Sequence, residues 1–255
     1  MVPNIIAHRG AKACAPQNTI PSFERAVADL ADGFETDVHL TKDGIPVICH
    51  NYDIDETSNG TGFIEKMTLE ELRRFDFGAW YGEEFKGTTI PTLNEFLAVA
   101  KKADIKVLNI EIKRPPSRLK ELVEKTLAAV EEYGLTDRLL ISSFSVQILR
   151  YVKQCAPAIP TGFLYPSNNP SACYPVVWPA AMVRFTKCDC IHPLHKLVSA
   201  PLVKWAHKKG MVVNVWTVNE EEDIKRMLLL GVDGIITDNP AYVREVVGTC
   251  VQHIR

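Results

Sequence analysis

No stretch of this 255-residue sequence approaches the ~20 consecutive apolar residues that a membrane helix requires. The chain opens on the strand-like Val2-Pro3-Asn4-Ile5-Ile6-Ala7, without the charged segment and apolar stretch of a secretory leader, so it is expected in the cytoplasm. A basic excess is also missing. Lys and Arg number 29 against 31 Asp and Glu, a net charge of −2, and no basic tail or stripe could supply the phosphate contacts of a nucleic-acid binder. The seven cysteines are odd in number and contain no C-x-x-C, which argues against a disulfide framework or a zinc ribbon and leaves most of them as small buried apolar residues. With 14 glycines and 16 prolines, collagen and low-complexity disorder are excluded as well. What remains is a globular chain that is 46% apolar, long enough for two small domains or for one (β/α)8 barrel.

Periodicity decides between them. Eight short β-branched runs recur, at Asn4–His8, Gly33–His39, Lys106–Ile112, Arg138–Ser143, Ile159–Leu164, Asp189–Ile191, Met211–Val218 and Gly234–Thr237. Helix-period stretches separate them and carry start and stop signals: Asn18 or Thr19 before Ile20–Leu30, Thr92 before Leu93–Lys102, Ser117 before Leu119–Tyr133, and Asn219 before Glu220–Leu230 with Gly231 beyond. Such alternation predicts parallel strands joined by crossover helices, hence an α/β fold, a single (β/α)8 TIM barrel over residues 1–255. The runs Asp32-Gly33-Phe34-Glu35-Thr36-Asp37 and Asp233-Gly234-Ile235-Ile236-Thr237-Asp238 echo each other, as two strands entered by the same kind of turn would.

Residues 41–91 break the rhythm with a Lys42-Asp43-Gly44 turn, an extended Ile45–His50, a Gly/Asn/Thr-rich stretch and a short amphipathic helix at Thr68–Phe75. This reads as a small insertion after strand two, lying at the strand C-terminal end where barrel active sites are built. Pro157, Pro160, Pro166, Pro170, Pro175, Pro179 and Pro193 crowd the fifth and sixth units, where short or irregular helices are expected.

The polar residues gather at strand ends. Strand residues two apart share a face, so Glu35 projects with Asp37, and Asn109 and Glu111 project with Lys113. Three carboxylates with nearby cations make an oxygen site suited to Mg2+ or Ca2+, and the lack of a His/Cys set argues against zinc. The ordinary alternative is a set of solvated loop-edge ion pairs. His8-Arg9-Gly10 ends the first strand, where a histidine could move a proton and an arginine could grip an anion, or the pair could merely cap the strand. His50 closes the extended run as a second proton-transfer candidate, with His39 ranked behind it, and Trp216 could wall a pocket at another strand end.

In order, His8-Arg9-Gly10, Ala15-Pro16-Gln17-Asn18-Thr19, Glu35-Thr36-Asp37-Val38-His39-Leu40-Thr41-Lys42-Asp43-Gly44, His50, Glu111-Ile112-Lys113, Asn214-Val215-Trp216-Thr217 and Gly234–Pro240 resemble the glycerophosphodiester phosphodiesterase family over nearly the whole chain. The resemblance implies a TIM barrel with a small insertion after strand two. It implies His8 and His50 as an acid–base pair, Glu35, Asp37 and Glu111 as ligands of a divalent metal, and Arg9 and Lys113 as phosphate contacts. The implied reaction is hydrolysis of small glycerophosphodiesters to sn-glycerol 3-phosphate and an alcohol, with water or the glycerol 2-hydroxyl as nucleophile.

Two positions depart from the family pattern: Gln17 stands where Glu is usual, and Asn51 follows His50 where Asp is usual. Each removes a negative charge beside a proposed catalytic group without deleting a ligand or a proton carrier. The alternatives are a lysophospholipase D, with Trp80, Tyr81 and Phe85 forming an apolar wall, and a non-catalytic phospholigand-binding barrel. A lyase or aldolase-type barrel is disfavoured, because no Schiff-base lysine context stands out.

Overall fold

The computed structural model describes residues 2–115, 117–166 and 176–253. Its strands are β1 (Asn4–His8), β2 (Gly33–Leu40), β3 (Pro46–Ile48), β4 (Val107–Ile112), β5 (Leu139–Ser143), β6 (Thr161–Tyr165), β7 (Cys190–Pro193), β8 (Val212–Val215) and β9 (Gly234–Thr237). All but β3 are parallel, and the pairings β1–β2 and β1–β9 close eight of them into a ring. β3 adds antiparallel to β2 outside that ring. The helices α1 (Ile20–Ala28), α2 (Leu69–Leu72), α3 (Leu93–Lys102), α4 (Leu119–Glu132), α5 (Val146–Cys155), α6 (Val177–Thr186), α7 (Ala200–Lys208), α8 (Glu221–Leu230) and α9 (Pro240–His253) surround the barrel, one after each parallel strand once α2 is set aside. This is the expected TIM barrel. No helix among the described residues is long and apolar enough to cross a membrane.

β2 shows how the sequence divides its labour. Every residue from Gly33 to Leu40 is buried, yet alternate side chains have different surroundings. Phe34, Val38 and Leu40 join the core under the helices, where the Phe34 ring lies 5.7 Å from Phe23 of α1 and 6.1 Å from Phe96 of α3. Emptying such a site by Phe→Ala costs about 3–5 kcal/mol, so the aromatic cluster fixes how α1 and α3 sit on the strand. Glu35, Asp37 and His39 take the opposite face, toward the barrel mouth.

The echoed runs have a structural reason. Asp32, one residue before β2, accepts the Ile5 N–H at 3.0 Å and holds Lys106 and Arg244. Asp233, one residue before β9, accepts the Val213 N–H at 2.8 Å, and Asp189, before β7, accepts the Thr161 N–H at 2.8 Å. In each case the carboxylate ties the foot of its strand to a neighbouring strand. The glycines that follow Asp32 and Asp233 permit close packing: a Cβ on Gly33 would meet the Val107 carbonyl oxygen at 2.4 Å, and one on Gly234 would meet Asn214 Oδ1 at 2.2 Å.

Thr92 caps α3 as expected, in a box where its hydroxyl accepts the Glu95 N–H and Glu95 accepts the Thr92 N–H at 2.8 Å. Two other expected caps differ. Arg118, in the left-handed region at φ 62°, precedes α4 in place of Ser117, and Glu220 precedes α8 because the Asn219 side chain is committed elsewhere. The proline-rich units carry regular helices of ten residues in α6 and nine in α7, because Pro179 and Pro201 occupy first turns, whose N–H groups have no intrahelical partner anyway. Pro170, Cys173 and Pro175 lie outside the described residues.

Between β2 and α3 the chain packs a core of its own from Val47, Cys49, Ile54, Ile64, Leu72, Phe77 and Ile90. The expected helix at Thr68–Phe75 is a single turn, Leu69–Leu72, capped by Thr68. This segment brings His50 to the mouth.

Candidate active site

Register places the acids. β2 and β4 pair Asp37 with Glu111 and Glu35 with Asn109, so four inward side chains form two adjacent rungs. Glu35, Asp37 and Glu111 are all buried, and one oxygen from each lies within 4.8 Å of the others. Two cations oppose them. Lys113 Nζ lies 2.8 Å from Asp37 Oδ1 and 2.7 Å from Glu111 Oε1, while Arg9 Nε lies 3.4 Å from Asp37 Oδ2. The Arg9 backbone N–H reaches Glu35 Oε2 at 3.2 Å, but Glu35 has no ion-pair partner among the described residues.

This imbalance shows in the acidities that the protein's own side chains produce. Burial, then the charges of Asp37 and Glu111, hold the Glu35 carboxyl well above the usual range. Burial pushes Glu111 up to about 7, although Lys113 opposes it. Burial acts the same way on Asp37, but Lys113 and Arg9 outweigh it and keep that group ionised. The Lys113–Asp37 contact is an ion pair without a well-directed hydrogen bond, so buried Asp37 Oδ1 keeps acceptor capacity. An all-oxygen set with excess negative charge and a spare acceptor fits a hard divalent cation.

Two histidines flank this cluster. His8 Nδ1–H donates to Asp238 Oδ1 at 2.6 Å, and Asp238 Oδ2 accepts from Asn219 Nδ2 at 2.9 Å and faces Lys12 Nζ at 3.3 Å. His50 Nδ1–H donates to Asn51 Oδ1 at 2.7 Å, and Asn51 Nδ2 donates to Glu56 Oε2 at 2.8 Å. In both rings Nε2 is left without a protein partner among the described residues. Burial lowers both imidazoles to about 4, with Arg9 and Lys12 adding to the effect at His8 and Lys113 and Arg9 at His50.

Both histidines line one cavity of about 300 Å3 together with Arg9, Glu35, Asn109, Glu111, Phe144, Leu164, Trp216 and Ile236. A more open space of about 470 Å3 adjoins it through His50, Glu111 and Phe144, and is further lined by Asn51, Tyr52, Asp53, Lys113 and Arg114. Trp216 stands edge-on to Phe144 at 5.6 Å, with Nε1–H donating to the His192 carbonyl at 2.7 Å. His39 is not in this cavity. Its Nε2 lies 3.3 Å from the His50 carbonyl and its ring is edge-on to Tyr52, so it supports the His50 loop.

Residues 8–242 match the glycerophosphoryl diester phosphodiesterase family. The chain belongs to this family. It is therefore an enzyme that hydrolyses glycerophosphodiesters. A glycerophosphodiester phosphodiesterase of Caldanaerobacter subterraneus subsp. tengcongensis is 41% identical over 236 residues, covering 92% of this chain and 94% of the relative. A glycerophosphodiester phosphodiesterase of Bacillus altitudinis is 35% identical over 238 residues, covering 92% and 94%. Among solved structures, an Oleispira antarctica phosphodiesterase in complex with the product sn-glycerol-3-phosphate superposes with a TM-score of 0.89 at 29% identity, covering 97% of each chain.

Within this glycerophosphoryl diester phosphodiesterase, His8, Arg9, Glu35, Asp37, His50, Glu111, Lys113 and Trp216 converge on the two adjoining cavities or the carboxylates beside them, while the lower-ranked candidate His39 does not. Asp238, Asn219 and Glu56 escaped that reading as site residues. The echo of Asp37 in Asp238 was the available signal for the first, since each stands four residues after the glycine that opens its strand.

Proposed function

We propose that this phosphodiesterase cleaves its substrate by metal-assisted acid–base chemistry, with the whole chain acting as one barrel domain and residues 41–91 as an excursion over its mouth. The observation that carries this reading is the pair of histidines, each tied at Nδ1, facing one cavity that also holds two of the three clustered carboxylates. Glu35, Asp37 and Glu111 would hold the cation, Mg2+ or Ca2+ by its oxygen donors. Such a cation supplies positive charge to the phosphoryl oxygens as negative charge builds there.

The protein's own groups do the rest. Arg9 points its guanidinium at the carboxylate cluster from the strand β1 side and is steered by Gln17, whose Oε1 accepts from it at 2.6 Å, so a charged donor stands ready for a phosphoryl oxygen. Lys113 offsets the charge of Asp37 and Glu111 and lines the outer space, where it can meet the phosphate as well. One histidine takes the proton of the nucleophile through Nε2, and the other delivers a proton to the departing alkoxide. Trp216 walls the inner cavity. The products are sn-glycerol 3-phosphate and an alcohol.

Free cysteines at Cys14, Cys49, Cys155, Cys188, Cys190 and Cys250 support action in the reducing cytoplasm. The test is an assay of purified protein on glycerophosphocholine and glycerophosphoethanolamine, with and without chelator. Turnover should vanish with chelator and return with a hard divalent cation; full turnover by metal-free protein overturns the assignment.

A further inference from the structure

From Arg138 to Cys188 the sequence has no Asp or Glu, although the chain holds 31 of them, while Arg138, Arg150, Lys153, Arg184 and Lys187 stand in the same stretch. That stretch includes β5, α5, β6 and α6, consecutive around the ring, so it builds one side of the barrel. Two of its cations are used internally: Lys153 pairs with Asp189 at 2.7 Å, and Arg138 donates to the Ala103 carbonyl at 3.1 Å. Arg150, Arg184 and Lys187 are exposed and in no ion pair among the described residues.

α6 differs from an ordinary surface helix. A solvent face normally carries charges, as α4 does with Lys120, Glu121, Glu124 and Lys125. Helical spacing puts Val177, Ala181, Arg184 and Phe185 on one side of α6, and all four are exposed, Val177 by 70% and Phe185 by 56%. Arg184 is the only charge in the helix. Arg150 of α5 lays its guanidinium over the Phe185 ring at 4.7 Å. Both border a groove of about 580 Å3 reaching to α4, where Lys120 stands over the Tyr151 ring at 5.4 Å. No carboxylate lines this groove among the described residues; on α4, Glu124 is held by Tyr151 Oη and Glu121 by Arg118 and Lys125.

A surface that joins exposed apolar side chains to uncompensated cations suits a partner that is anionic outside and apolar beneath. A lipid surface has both properties. An acidic protein, solvated by its own charges, answers the arginines but leaves Val177 and Phe185 in water. The groove also adjoins the mouth, since Val146 lines it and Phe144, two residues earlier and 43% exposed, lines both active-site cavities.

We propose that the outward face of α5 and α6 docks this enzyme on anionic lipid bilayers, with Lys120, Arg150 and Arg184 at the head groups and Val177 and Phe185 against the acyl boundary. The substrate class gives the docking a use. A glycerophosphodiester is what remains when both acyl esters of a membrane glycerophospholipid are hydrolysed, so it arises at that surface.

The experiment is co-sedimentation of the full chain with vesicles of phosphatidylcholine alone and of equal parts phosphatidylcholine and phosphatidylglycerol. Wild-type protein should partition at least tenfold more strongly onto the anionic vesicles and return to solution in high salt. A basic side chain near an anionic bilayer contributes roughly fivefold, so the triple variant Lys120→Gln, Arg150→Gln, Arg184→Gln should lose at least thirtyfold, and Phe185→Ser at least fivefold. The charge-matched control Lys101→Gln, Lys102→Gln, Lys208→Gln, at helix C-terminal ends, should stay within threefold of wild type. Equal partitioning onto both vesicle types, an equal loss in the control, or Phe185→Ser binding like wild type overturns the proposal. Protein that ignores vesicles but is retained by poly-glutamate overturns it in favour of an acidic protein partner. Turnover of soluble glycerophosphocholine should stay within twofold in every variant, and a loss of turnover that parallels the loss of binding assigns these residues to folding and overturns it too. Arg184→Gln alone, with its fivefold loss, decides if the triple variant does not melt cooperatively.

Discussion

Replacing Asp238 with Asn should disable His8 while leaving the fold in place. Asn219 fixes the direction of the new amide. Its Oδ1 accepts from the Asp238 N–H and from Thr237 Oγ1, each at 3.0 Å, so its Nδ2 faces position 238 as a donor. Lys12 faces the same oxygen of Asp238, also as a donor. An amide at 238 must therefore keep its oxygen toward Asn219 and Lys12 and turn its NH2 toward His8 Nδ1. That nitrogen then has to accept, the ring proton moves to Nε2, and the lone pair that faced the cavity is lost. A positioned general acid or base contributes about 10²–10⁴ in rate, about 2.7–5.5 kcal/mol of barrier, so kcat of Asp238→Asn should fall by that factor. Arg9 and the carboxylates are untouched, so KM should stay within about threefold, the split that marks loss of a step made in the transition state. The assay is steady-state turnover of glycerophosphocholine in saturating Mg2+, with thermal melting alongside. A kcat within threefold of wild type would refute the tautomer argument, and a drop in kcat matched by collapse of the melting transition would assign Asp238 to folding.

The remaining expectations concern groups that the same geometry isolates. His8→Ala and His50→Ala should each lower kcat by about 10²–10⁴ with little change in melting, whereas His39→Ala should act only through the His50 loop; near-native turnover of His50→Ala with an inactive His39→Ala would reassign the pair. For Asp32, burial opposes ionisation, but hydrogen bonds from Lys106, the Ile5 N–H and Arg244 outweigh it and depress the carboxyl. Asp32→Ala should thus cost about 2 kcal/mol at pH 7, mostly the backbone bond, since the ion pairs are largely solvated. Because the folded pKa is depressed, that contribution is whole above about pH 4 and fades as pH falls through the folded value, so a wild-type-to-mutant gap in urea midpoints that grows below pH 4 contradicts it. The outer space is open and of mixed lining, so kcat/KM for choline, ethanolamine, glycerol and serine head groups should agree within roughly tenfold. A hundredfold preference for lysophospholipids would establish the lysophospholipase D alternative.

What the sequence made legible is local. Period-two spacing grouped Glu35 with Asp37 on one face, and the structure puts Phe34 and Val38 on the other, because a strand's geometry alternates whatever its neighbours are. Thr92 was identifiable as a cap because its box partner Glu95 is three residues away. What stayed hidden depends on closure of the ring. Asp238 meets His8 across 230 positions, a contact that exists only because β9 pairs with β1. Asn219 reads as an ordinary helix cap from its neighbours, yet its amide is taken by Thr237 and Asp238. The proline-rich units misled in the opposite direction, since a proline in a first turn leaves a helix intact.

The two departures from the family pattern fit this geometry as changes of charge that spare orientation. At position 17 a glutamate would hold Arg9 by an ion pair and cancel much of its charge; Gln17 accepts the same kind of hydrogen bond at 2.6 Å and leaves the guanidinium's charge available to the phosphate. At position 51 the amide oxygen receives the His50 Nδ1–H at 2.7 Å, as a carboxylate would, and the amide nitrogen passes the connection on to Glu56. Because Asn51 Nδ2 is held by that acceptor, its oxygen must face His50, and the ring keeps its proton at Nδ1 and Nε2 toward the cavity. A negative charge has thus moved one side chain outward from His50 and has disappeared beside Arg9. The change at position 17 removes a negative charge from the surroundings of an anionic phosphodiester and the change at position 51 sets one farther from it, while hydrogen bonds still aim Arg9 and His50. A binding barrel that had lost its chemistry would have no need to hold both imidazoles at Nδ1, and this chain holds both.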